Sequence, residues 1–159
     1  MVSTMDDIRL VVIGAAAGTE VALGKLFALL PLPMAAAVVV AVQGAAPDDV
    51  VRVLQLGPPE LRLLWRPQPL GNGGLWLVPP GYEVRIEGDC LVPRPAGRRG
   101  APMVLAPLFA SAAPHAVLGV LLGDTGLDGE AAAAAFGSCP LLRPDPDQLP
   151  RLGRFLPGG

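Results

Sequence analysis

Ile8-Arg9-Leu10-Val11-Val12-Ile13-Gly14-Ala15-Ala16-Ala17-Gly18-Thr19 is the stretch from which the fold can be read. Ile8 to Ile13 is a nearly unbroken aliphatic and β-branched run ending at Gly14, the pattern of a strand buried on both faces of a parallel sheet. Beyond Thr19, residues Val21, Ala22, Leu23, Leu26, Phe27, Leu29 and Leu30 recur at helical spacing until Pro31 and Pro33 end the pattern. The segment is therefore one strand-turn-helix unit. Ala35 to Gln43 repeats the buried-strand signature. Pro47, Asp48 and Asp49 then supply a first helical turn, with proline where a missing donor is harmless and carboxylates facing the positive helix end. Val50, Val51, Val53 and Leu54 continue that second helix.

The middle of the chain has a different texture. Leu61 to Trp65, Leu75 to Val78 and Tyr82 to Ile86 are short runs separated by Pro67, Pro69, the Gly71 to Gly74 turn and Pro79-Pro80-Gly81, which predicts short strands joined by turns. Tyr82, Val84 and Ile86 alternate with Glu83, Arg85 and Glu87, so this strand is half exposed and belongs to a hairpin on the rim, with Gly88-Asp89 as its turn. Met103 to Ala113 reads as a helix that Pro107 should disturb, and Ala116 to Leu122 as a third buried strand. Gly123 to Gly129 reads as a loop, Glu130 to Phe136 as an alanine-rich helix, and Cys139 to Leu142 as a short strand. A last short helix is expected around Leu149 to Phe155.

Alternating strands and helices predict an α/β fold: three layers, α/β/α, around a largely parallel, doubly wound, Rossmann-like sheet, plus a short β-hairpin. Ligands of such sheets gather at the carboxyl ends of the strands, which directs attention to Gly14 to Gly18, Gln43 to Pro47 and Gly123 to Gly129.

Composition narrows the function. A chain of 159 residues with 52% hydrophobic side chains fits a single domain over residues 1–159. Charged residues are 16% and the net charge is -2, which argues against a nucleic-acid partner. The basic residues Arg94, Arg98 and Arg99 sit among prolines and glycines and read as a solvated loop. Cys90, Cys139 and the single histidine, His115, show no ligand spacing, so neither a metal site nor a disulfide is expected, and a reducing cytoplasm fits. Asp124 and Asp128 lack a third ligand and read as capping or turn residues rather than a cation site. Gly14 to Gly18 departs from the dinucleotide-binding spacing, and no cofactor is expected. The N-terminus lacks the features of a signal peptide, and Met34 to Val42 is too short for a membrane span.

Three of these segments carry a family likeness. Val11 to Thr19 is similar to a strand entering a Gly-Ala-Ser-Thr/Ala-Gly-Gly turn, with Ala16 at the serine position. Val38 to Gln43 followed by Gly44 is similar to a strand ending in Val-Gln-His, with Gly44 at the histidine position. Gly119 to Gly129 is similar to a strand running into Thr-Gly-Met-Gly-x-Asp-Gly, with Asp128 at the aspartate. Leu75 to Gly81 resembles a Val-Ala-Pro-Pro-Gly stretch, and Leu108, Phe109 and Ser111 a Leu-Phe-x-Ser helix. In this order and spacing the chain resembles the chemotaxis receptor methylesterase (CheB) family over roughly residues 8 to 136, with a shortened C-terminal part and no receiver domain.

The resemblance implies a family chemistry in which a serine attacks a glutamyl methyl ester, a histidine takes its proton and an aspartate orients the histidine. Ala16 offers no oxygen and Gly44 no base, so an inactive relative is expected, acting by binding in a bacterial chemotaxis or chemosensory-type system. The backbone amides of Ala17 and Thr125 match the oxyanion donors, and Gly14, Gly18, Gln43, Asp124 and Gly126 would line the cleft. The partners implied are a chemoreceptor or chemosensory regulator, and an edge left by the short tail points to a homodimer. A weak hydrolase using water held by Asp128 and a small-ligand sensor using the vacated cleft stay open as alternatives. His115, just before the third strand, belongs at the opposite end of the sheet.

Overall fold

The computed structural model describes residues 8–30, 35–44, 46–96 and 103–144. Its centre is a six-stranded sheet of β1 (Leu10–Ala15), β2 (Ala37–Val42), β3 (Leu61–Leu63), β5 (Leu75–Leu77), β8 (Val117–Leu122) and β9 (Leu141–Leu142), in the order β3-β5-β2-β1-β8-β9. All its pairs are parallel. β1 is fully flanked: Leu10 stands beside Ala37 on one side and Val117 on the other, and the register holds to Ala15, which stands between Val42 and Leu122. Every residue of β1, β2 and β8 is buried. Continuous apolar runs are what such strands require, since each successive side chain meets a covered face.

Alternation within the runs divides the core. Val11, Ile13, Val38 and Val40 point toward α1 (Glu20–Leu29) and α2 (Pro47–Leu56), where Leu23, Leu26, Phe27 and Val53 meet them. Leu10, Val12, Ala37 and Val39 point toward α3 (Leu105–Ala112) and α4 (Gly126–Phe136), with Leu105, Leu108, Phe109 and Phe136. Phe109 and Phe136 pack with centroids 5.1 Å apart. At about 1.5–3 kcal/mol for each fully buried large apolar side chain, these two layers dominate the favourable side of folding.

A second sheet is antiparallel, in the order β4-β7-β6, formed by β4 (Gln68–Pro69), β6 (Tyr82–Glu87) and β7 (Cys90–Pro95). The expected hairpin and its Gly88-Asp89 turn are present, and β4 extends it to three strands. Its β6 edge is closed by α3: Ser111 Oγ accepts from Ile86 N at 2.9 Å and donates to Leu108 O at 3.1 Å. The serine of the Leu-Phe-x-Ser match thus has a structural duty.

Several expectations are corrected. β7 carries Pro93 and Pro95, yet β4 reaches only Cys90 and Leu91, so both prolines lie where β7 has no neighbour on that side. Arg94 is on this strand, not in a loop, and pairs with Glu87 at 2.9 Å. Gly126 to Gly129 is the first turn of α4 rather than loop. Pro107 disturbs nothing, because α3 begins at Leu105 and proline there occupies the first turn, where its N–H would have no helical partner. Cys90 and Cys139 are half-buried, and Cys139 Sγ donates to Ala113 O at 3.2 Å. Arg98, Arg99 and the helix expected around Leu149 to Phe155 lie outside the described residues. Among those described, no helix is long and apolar enough to cross a membrane.

Candidate functional site

At the carboxyl edge of the sheet, the ladder continues one residue past the central strands. Ala16 N donates to Leu122 O and Gln43 N donates to Ala15 O, both at 2.9 Å, which brings the turns after β1, β2 and β8 side by side. The strand order reverses between β1 and β8, with β2 and β5 on one side of β1 and β8 and β9 on the other, the usual place for a crevice in an open α/β sheet. Here the two turns are pressed together. Gly123 has φ +77, and a Cβ there would stand 2.6 Å from Thr19 Cγ2 and 3.1 Å from Ala16 Cβ. Thr19 Oγ1 donates to Ala16 O at 2.6 Å. Ala16 is buried, whereas Ala17 and Gly18 are exposed.

Asp128 lies in the first turn of α4 but serves α3. Its Oδ2 accepts from Val104 N at 2.9 Å and Leu105 N at 3.0 Å, and its Oδ1 from Ala106 N at 2.9 Å. A helix leaves four N–H groups without internal partners at its start. In α3 three of them reach this one carboxylate, and the fourth position is Pro107, which has no N–H. An anion at a positive helix end, held by charge-assisted bonds, is the favourable arrangement. Gln43 Nε2 adds a 2.7 Å bond to Thr125 O and stands 3.5 Å from Asp128 Oδ2, tying the β2 turn to the same corner. Asp128 and Gln43 are therefore brought together, with neither side chain reaching Ala16 by a hydrogen bond.

Gly44 is exposed, with φ +58, and a Cβ there would meet nothing within 4 Å. Beside it a cleft of about 280 Å³ opens past the ends of β2 and β5, walled by Val42, Val78, Pro79, Pro80 and Tyr82. Of the candidate site residues named in the sequence Gly44 alone lines it, beside Val78, Pro79, Pro80 and Gly81 of the Val-Ala-Pro-Pro-Gly match. Gly14 is buried in β1, where a Cβ would lie 2.9 Å from Leu105 Cδ1 and 3.0 Å from Leu121 Cδ2, so its smallness admits α3 to the sheet. Asp124 Oδ1 accepts from Gly126 N at 3.2 Å in a local turn. The backbone N–H groups of Ala17 and Thr125 donate to no acceptor among the described residues. His115 lies at the amino edge with Arg9 and Asp89, around a separate depression. No cluster of three or more His, Cys, Asp or Glu residues that could hold a metal ion occurs among the described residues.

Sequence reasoning missed the cleft walls because they come from separate segments and carry no reactive group. Pro79-Pro80-Gly81-Tyr82 directly after a buried strand was the available signal. The sequence predicted a capping or turn role for Asp128 but not that the helix capped is α3, more than 20 residues away.

Comparison with known proteins bears on the same residues. The family model described as CheB methylesterase matches residues 11–139. The crystal structure of the Thermotoga maritima CheB methylesterase catalytic domain superposes with a TM-score of 0.66 at 15% sequence identity, covering 98% of this chain and 94% of that one. Among curated proteins nothing matches.

Proposed function

From the premise that the chain belongs to the CheB methylesterase family, we propose that it is a member without hydrolase activity, working as a binding or regulatory domain in a bacterial chemotaxis or chemosensory-type signalling system. The observation that carries the reading is the chemistry at the carboxyl edge. Ala16 and Gly44, at the positions matched to the family's serine and histidine, supply neither nucleophile nor base. The histidine that remains, His115, belongs to the other end of the sheet.

Among the described residues no nearby group compensates. Thr19 Oγ1 is engaged with Ala16 O and has no histidine beside it. Asp128 has both oxygens committed to the start of α3, which opposes its use as a base for water. Loss of a triad's nucleophile and base removes on the order of a millionfold in turnover. The amides of Ala17 and Thr125, without acceptors among the described residues, leave donors for a carbonyl group, so recognition can outlast turnover. The partners that suit this reading are a chemoreceptor or a chemosensory regulator.

The test is hydrolysis of a methylated receptor peptide by the native chain beside its Ala16→Ser/Gly44→His variant. An inert native chain with a gain in the double variant is the expected result. Turnover by the native chain that disappears in Asp128→Asn would overturn the proposal.

A further inference from the structure

The cleft beside Gly44 has a chemistry of its own. Its described walls are aliphatic, proline and tyrosine, and no charged side chain is among them. Its floor is the end of the parallel sheet, since Val42 is the last residue of β2 and Val78 directly follows β5. Tyr82 is held in place by Trp65, whose ring meets it edge to face at 5.3 Å and 90°. A wall pinned in this way loses little freedom when it is covered.

The cleft also stands next to apolar surface that the fold does not use. Trp65 is 53% exposed although it packs on a cleft residue, and Met103, 46% exposed, immediately precedes the cleft residue Val104. Exposed apolar side chains gathered at a concave mouth mark a binding surface more than scattered ones do. Volume then selects the occupant. About 280 Å³ is at the small end of ligand sites and holds one ring rather than a folded segment.

We infer that this cleft binds a small, uncharged aromatic molecule, a single ring seated on Pro79 and Pro80 against Tyr82. Anionic rings are disfavoured because they would lose hydration with no cation among the described walls. Gly44 lines the cleft, and a Cβ there would meet nothing within 4 Å. The inference is independent of whether the domain hydrolyses esters, because ring binding and ester turnover are read separately.

The experiment is titration of the native chain with p-cresol and with benzoate, followed by amide NMR. Saturable shifts centred on Gly44, Gly81, Tyr82 and Val104 are expected for p-cresol, with benzoate at least about tenfold weaker. Tyr82→Ala, which removes one wall, and Gly44→His, which adds a side chain at a lining residue, should each weaken p-cresol by about tenfold or more. Both variants are compared with the native spectrum first, and Tyr82→Ala decides if Gly44→His does not fold. Absence of saturable shifts, shifts centred elsewhere, equal binding of benzoate, or indifference to the variants would each overturn the inference. So would binding seen only when the ring is presented within a Gly-Tyr-Gly peptide, since that outcome assigns the cleft to a partner's side chain.

Discussion

Asp49 and Asp128 occupy the same place in their respective helices, the third residue of α2 and of α4, and do opposite things. Asp49 turns back on its own helix, where its Oδ2 accepts from Ala46 N at 3.1 Å on an exposed surface. Asp128 ignores its own helix start and closes that of α3. The first bond is local and is written in the Pro47-Asp48-Asp49 sequence; the second depends on the sheet having placed α3 and α4 together. A carboxylate with a long-range structural duty is constrained through other elements, whereas Gly44, at φ +58, is constrained by its own backbone and would meet nothing within 4 Å where a Cβ would stand. On this view an aspartate can remain at the Asp128 position for reasons unconnected with catalysis.

The contrast can be broken by substitution. Asp128→Ala removes the partner of three amides and should cost about 3 kcal/mol, lowering Tm by roughly 6–12 °C in a thermal melt. A loss no larger than that of an exposed cap would remove the distinction. Gly123→Ala should cost about 2 kcal/mol, since φ +77 is strained for alanine and Thr19 stands in the way. Gln43→Ala gives up the bond to Thr125 O and should cost about 1 kcal/mol in urea unfolding. Asp49→Ala should cost only about 0.5 kcal/mol by the same measurement, the low end of the range for an exposed cap.

Much of the fold was legible because its central strands are covered on both faces. In β1, β2 and β8 an unbroken apolar run has no other stable use, and the spacing of Leu23, Leu26 and Phe27 leaves little alternative to α1. Where local and long-range preferences disagree, the reading went astray. Pro93 and Pro95 hid how far β7, the return strand of the expected hairpin, extends through Arg94, because both prolines lie beyond where β4 stops. Gly126 and Gly129 hid the first turn of α4, in which Gly129 N donates to Thr125 O. At the site, the motif-bearing residues could be located by position, since strand ends declare themselves in an α/β pattern. The walls of the cleft could not, because Val78, Tyr82 and Val104 become neighbours only after the two sheets and α3 have packed.

The placement of β1 at the middle of the sheet also governs when the fold can complete itself during synthesis. One neighbour, β2, follows closely, so Leu10 meets Ala37 early, but the other is β8, and Val117 arrives roughly 100 residues after Leu10. Until then a strand with no polar side chain after Arg9 has one hydrogen-bonding edge unfilled. The emerging chain therefore carries an apolar, half-paired strand until Val117 has been made, an interval in which an open strand edge invites non-native pairing.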